Sequence, residues 1–187
     1  MNRVRTLVEV IAVVGSAQAR MLARRLRHGP RRPSWSLQTE AALTAMRAPM
    51  DHSKRRGVAW LREVTALLPV RSPQRAQVRL RDVRFGDVRC LECTPLADPA
   101  PSRTIFHIHG GGYVIGSPEM SLDAIVRIAV GAGARVVAVD YRLAPEHRFP
   151  AALDDCVAAL RALLREVDAS HVALAGDSAG GALCVAT

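Results

Sequence analysis

Aromatic side chains make up only 4% of the 187 residues. A nucleic-acid surface needs aromatic stacking platforms or a basic element shaped for a groove, laid along the folded body. Neither pattern is present, so nucleic acid is not an expected partner. Cysteine is scarce too: Cys90, Cys93, Cys156 and Cys184 are the whole set, and only the first two form a Cys-x-x-Cys, with no second pair and no histidine at ligand spacing. The segment around Cys90 reads as a strand, where residues three apart face opposite sides, so this pair is poorly placed to chelate jointly. No metal and no cofactor are expected. Free thiols suit a reducing compartment, which makes the cytoplasm the expected location. A clean apolar run is also missing, because Glu9 interrupts the N-terminal apolar stretch and no uncharged run of about 18 residues exists. A transmembrane span is therefore not expected, and neither internal repeats nor low-complexity tracts are found.

What the chain does have is positive charge, unevenly placed. The net charge is +9, with a pI near 10.8. Residues 1–34 hold eight arginines against the single acid Glu9, a net +7, which leaves 18 basic and 16 acidic side chains for the rest. Arg3 and Arg5 precede the apolar stretch Leu7 to Gly15, and Ala17-Gln18-Ala19 follows, an arrangement that imitates a secretory signal. Glu9 weakens that reading. An amphipathic basic helix, packed on the body or in peripheral contact with a membrane, is preferred for residues 1–34.

His28-Gly29-Pro30-Arg31-Arg32-Pro33 is a breaker-rich link. After it Ser36 can cap a helix carrying Leu37, Ala41, Ala45 and Ala48, which Pro49 should end. A second helix is expected from Asp51 to Leu68, with Val58, Leu61, Val64 and Leu68 on one face and Pro69 as its stop. The period then changes to two. Val78, Leu80, Val83 and Phe85, a Gly86-Asp87 turn and Val88 to Cys93 describe a β-hairpin of loose register. From Arg103 the pattern is βαβαβ: strands over Thr104 to His109, Arg135 to Tyr141 and His171 to Asp177, helices over Asp123 to Ala132 and Ala151 to Val167. The runs Val136 to Val139 and Val172 to Ala175 are apolar without alternation, as for parallel strands covered on both faces. Leu153, Val157, Leu160, Leu164 and Val167 form one stripe on the helix between them. The expected divisions are a basic segment (1–34), a helical layer (35–69) and an α/β domain (70–187).

Two glycine-rich clusters carry the chemistry. Gly176-Asp177-Ser178-Ala179-Gly180 fits G-x-S-x-G, a strand-to-helix turn sharp enough to strain the serine backbone. Gly176 and Gly180 remove Cβ atoms where strand and helix pass closest, and the bend lifts the Ser178 hydroxyl clear of the sheet. Alone, the pentapeptide fits many turns. Here an apolar strand precedes it and a small-residue helical segment, Ala179 to Ala186, follows. His109-Gly110-Gly111-Gly112-Tyr113 sits directly after the first parallel strand. Its glycines free the backbone to aim N–H groups, which with the N–H of Ala179 would form an oxyanion hole. A phosphate loop would need Lys-Ser/Thr after the glycines, and Tyr113-Val114-Ile115 stands there instead.

In this order the two clusters resemble the hormone-sensitive-lipase-like family of α/β-hydrolases. The likeness extends through His109 to Ser117, Asp140 to His147, Phe149 to Ala152, Asp154-Asp155 and Gly176 to Gly181. It implies the N-terminal part of an α/β-hydrolase fold, a mainly parallel sheet with flanking helices, with the helical layer as a small cap. It also implies Ser178 as nucleophile, oxyanion donors among Gly110, Gly111, Gly112 and Ala179, and His109 as organiser of the loop rather than base. Asp177, Gly176 and Gly180 complete the supporting motif, while Asp140, Arg142, Glu146 and Asp155 brace the segment behind it. The reaction implied is hydrolysis of a small ester through an acyl-enzyme.

Against this stands a lack. The fold orders its triad as Ser, then acid, then His along the chain. Nine residues follow Ser178, none acidic and none histidine, and all six histidines precede it. The chain reads as a C-terminally truncated hydrolase, inactive alone, with the strand before Ser178 left as an exposed edge. A non-catalytic small-molecule-binding protein on the same fold is the alternative.

Overall fold

The computed structural model describes residues 3–67 and 71–187. The chain divides into two compact units, residues 1–68 and 69–187.

The first unit is three helices, α1 (Arg3–His28), α2 (Leu37–Arg56) and α3 (Val58–Leu67). Ser36 caps α2 as expected, its side chain accepting the Thr39 N–H at 3.1 Å. Pro49, however, does not end the helix. It lies inside α2, and the break falls at Gly57, whose φ of 81° is outside the helical region and whose N–H is donated to Ser53 O. Proline forfeits one backbone bond but already has a helical φ. The basic segment and the helical layer thus form one body, held by buried polar bonds. The Glu40 carboxylate, 2% exposed, accepts from Arg24 and Arg25 at 2.9 Å each and from the Arg31 N–H. Glu9 joins His52, Arg56 and Trp60 Nε1, and Thr6 Oγ1 donates to Glu63 at 2.8 Å. By length and composition alone α1 is nevertheless long and apolar enough to cross a membrane, one 18-residue window having mean hydropathy 1.4. Its valines and alanines outweigh the interruption at Glu9.

The second unit is a five-stranded sheet in the order β1-β2-β4-β3-β5, formed by β1 (Val78–Phe85), β2 (Val88–Pro95), β3 (Thr104–Ile108), β4 (Arg135–Val139) and β5 (Val172–Gly176). The hairpin register is set by the two-residue turn, pairing Phe85 with Val88 and Val78 with Pro95. β2 runs antiparallel to β4, and β3 is parallel to both β4 and β5. α4 (Leu122–Ala132) covers one face, with Ile125, Val126 and Ala129 against Leu91, Cys93, Val136 and Ala138. α5 (Ala151–Leu163) and α6 (Ala179–Ala186) cover the other, with Cys156, Ala159, Leu163 and Leu183 against Cys90, Phe106, Val137 and Val139. Cys90 and Cys93 do face opposite sides.

The faces that α5 and β5 present differ from expectation, while the edge position of β5 does not. α5 presents Cys156, Ala159 and Leu163 to the sheet and leaves Leu164 outside, because small residues let helix and sheet approach closely while Leu153 and Leu160 pack beside them. Four of the five β4 residues are buried, and β5, expected to be left as an exposed edge, is the outermost strand with Leu174 exposed; only the reading of its apolar run as covered on both faces fails.

Candidate active site

β3 and the edge strand β5 end at one rim of the sheet, where β3 runs into the glycine loop and β5 into α6. Ser178 lies between β5 and α6 with φ 50° and ψ −119°, a left-handed conformation that costs a non-glycine residue about 1–3 kcal/mol. Tight apposition behind it enforces that bend. A Cβ on Gly180 would strike the Ile108 carbonyl oxygen, and one on Gly176 would lie 2.7 Å from the same oxygen and from Gly180. Elbow and loop are therefore in backbone contact across β3. The side chain of Ser178 is exposed and the N-terminal, positive end of α6 begins beside it.

Asp177 fastens the elbow to the loop by accepting the Gly110 N–H at Oδ1, 3.0 Å away. This corrects one expected donor. The Gly110 amide is consumed by Asp177 and faces no oxyanion, whereas the amides of Gly111, Gly112 and Ala179 donate to no protein group among the described residues. Gly111 has φ 124°, and a Cβ there would strike the Ile115 carbonyl, so the loop closes only with glycine at that position. Val114 and Ile115 both donate N–H groups to the Gly111 carbonyl, which turns the loop back on itself.

His109 is 1% exposed, and its Nδ1 lies 2.7 Å from the Gly110 carbonyl. A carbonyl only accepts, so Nδ1 carries the proton and Nε2 is left bare and without a partner. Burial holds its pKa below the usual histidine value. The ring stacks on Tyr141 at 4.2 Å between centroids, and the Tyr141 hydroxyl donates to the His109 carbonyl at 2.9 Å. His109 is thus a buried, neutral brace for the loop. His107, on β3, is also buried, with its pKa lowered by desolvation. No hydrogen bond links Ser178 to a histidine or an acid among the described residues.

Of the expected braces, Arg142 pairs with Asp155 and Asp140 is held by Arg89. The Arg142 guanidinium and its own N–H converge on the Asp155 carboxylate at 2.8–3.0 Å, and Arg89 bonds Asp140 and Glu119. Tyr141 and Gly116 escaped the sequence reading. A Cβ on Gly116, at φ 110°, would strike His109 Nδ1, and the signal was its place within the glycine motif. No group of three metal-binding side chains occurs among the described residues.

A family model of the α/β hydrolase fold matches residues 105–187. Esterase LipI of Mycobacterium tuberculosis is 46% identical over 91 residues, which are 46% of this chain and 28% of that protein. The ethyl acetate hydrolase of Pseudomonas putida is 43% identical over 95 residues, 48% of this chain and 30% of that one. The crystal structure of an esterase from the bacterial hormone-sensitive lipase family superposes with a TM-score of 0.59 at 30% identity, over 95% of this chain and 50% of its own. The chain spans half the length of that structure, and its alignments span under a third of the two curated relatives. Motif order, sheet topology and these likenesses agree: the chain has the α/β hydrolase fold over residues 105–187 and is similar to esterases of the bacterial hormone-sensitive lipase family.

Proposed function

We propose that this chain carries the nucleophile and the oxyanion hole of a carboxylic ester hydrolase. Ser178 Oγ attacks the ester carbonyl, the carbonyl oxygen becomes an anion held by the amides of Gly111, Gly112 and Ala179, and collapse expels the alcohol to leave an acyl-Ser178, which water later releases. The observation that carries this reading is the positive-φ Ser178 on a turn that Asp177 bonds to the glycine loop, with the amides of Gly111, Gly112 and Ala179 claimed by no protein acceptor among the described residues. Relatives named acetyl-hydrolase and ethyl acetate hydrolase point to short acyl groups as the substrate class.

No histidine or acid is hydrogen-bonded to Ser178 among the described residues, so hydrolysis by residues 1–187 is expected to rest mainly on the oxyanion hole. Loss of a triad member removes most of the rate while leaving about 10³–10⁴-fold over water. Added imidazole should supply the missing base. We expect hydrolysis of nitrophenyl acetate to rise with imidazole beyond its own background, and the excess to vanish in Ser178→Ala. An excess that survives the substitution overturns the reading. Saturable ester binding with no Ser178-dependent turnover under any added base would favour the second reading, a small-molecule-binding protein on the same fold, which the lack of a histidine partner for Ser178 supports.

A further inference from the structure

The whole net charge of the chain resides in one unit. Residues 1–68 hold 13 basic and 4 acidic side chains, a net +9, whereas residues 69–187 hold 13 of each. The same unit exposes apolar surface in a regular row. Val4, Val8, Ile11, Leu22 and Leu26 of α1 recur at helical spacing on one side and are 66%, 61%, 62%, 43% and 88% exposed. Arg5 and Arg27, also exposed, lie further round the helix on one side of this row, with the exposed Arg20 beyond them, and none of the three pairs with an acid among the described residues. The opposite side of α1 is fastened inward through Thr6, Glu9, Gln18, Arg24 and Arg25.

We propose that α1 seats the protein on an anionic lipid bilayer, lying in the interface with its apolar row among the acyl chains and its arginines among the headgroups. A row running the length of a 26-residue helix, about 39 Å, fits an extended apolar layer edged with negative charge. A second copy of this chain would bring one net +9 unit against another. A membrane-crossing α1 would have to abandon the bonds to Glu63, Glu40 and the Ala41 carbonyl and carry Glu9 into hydrocarbon without His52, Arg56 and Trp60. The helix therefore lies along the surface.

The test is co-sedimentation of the full chain with phosphatidylcholine vesicles, with and without about one-third phosphatidylserine, compared with two variants altered at exposed positions. Val8→Glu with Ile11→Glu interrupts the row, and Arg5→Glu with Arg20→Glu and Arg27→Glu reverses the flank. Each arginine near an anionic surface contributes roughly fivefold to binding. The account predicts binding that depends on phosphatidylserine, weakens between about 0.1 and about 1 M salt as the Debye length falls from about 10 to about 3 Å, and drops more than about tenfold in either variant. If the glutamates disturb folding, Val8→Ser with Ile11→Ser carries the same expected loss. Unchanged binding by the variants overturns the proposal. So does self-association without lipid that the row variant abolishes, or retention in carbonate-washed membranes, which would mean a crossing helix.

Discussion

The carboxylate of Asp177 accepts the N–H of Gly110 at 3.0 Å across 67 residues of sequence. This bond joins the turn that presents Ser178 to the loop whose next two amides are free, and it sets their relative position. Charge-assisted hydrogen bonds contribute about 1.5–3 kcal/mol, more than neutral ones. Asp177→Ala should therefore lower unfolding free energy by about 1.5–3 kcal/mol in urea melts. Asp177→Asn, which keeps one accepting oxygen, should lose less. Equal losses would show that the bond is not what holds the two segments.

Two glycines separate close approach from mere composition. Gly180 abuts the Ile108 and His109 backbone, and neither can yield without moving β3, so Gly180→Ala should cost about 3 kcal/mol or more. Gly15, within α1, has nothing within 4 Å of an added Cβ. Gly15→Ala should raise stability by about 0.5–1 kcal/mol. Thermal melts of both variants check the contrast, which disappears if the elbow is loosely packed.

Thiol chemistry reports on the sheet. Burial pushes the Cys90 and Cys156 thiols up to about 12 and Cys93 up to about 11, while Cys184 is only partly buried. Near pH 8, dithionitrobenzoate should modify Cys184 alone in the folded protein and all four cysteines in guanidinium. Rapid labelling of Cys90 or Cys93 in the native state would contradict a β2 buried on both faces.

Acid should loosen the helical unit by way of Glu40. The Arg31 N–H, then Arg25 and Arg24, hold its carboxyl below the ordinary value of 4.5. A folded-state pKa lowered in this way contributes stability that is fully present above about pH 4.5 and is lost as pH falls through the depressed value. Helical circular dichroism followed from pH 7 downward should show that loss in the wild type. Glu40→Gln should be less stable at pH 7 and show a smaller decline in acid. Parallel curves would remove Glu40 from the account.

The parts legible in sequence are those fixed locally. The Gly86-Asp87 turn, the apolar β4 run and the strand–serine–helix order each depend on neighbours in the chain, and each falls where the pattern put it. What escaped depends on distant partners. Pro49 is carried through α2 because Gly57, not proline, ends the helix, and α5 turns Cys156 and Ala159 inward because the sheet demands small residues there. The edge position of β5 was legible because nothing after α6 in residues 1–187 can pair with it, but its apolar run reads as covered on both faces and the structure leaves it largely exposed. At the site, nothing in the triglycine marks Gly110 as already bonded, since its acceptor arrives from the far end of the chain.

The most direct test of Ser178 as nucleophile is peptide mapping by mass spectrometry after incubation with nitrophenyl acetate. The account predicts an acetyl group on the peptide containing Ser178, formed faster with added imidazole and absent in Ser178→Ala. Acetylation confined to the single lysine, Lys54, or spread over other serines and unchanged by Ser178→Ala, would contradict it.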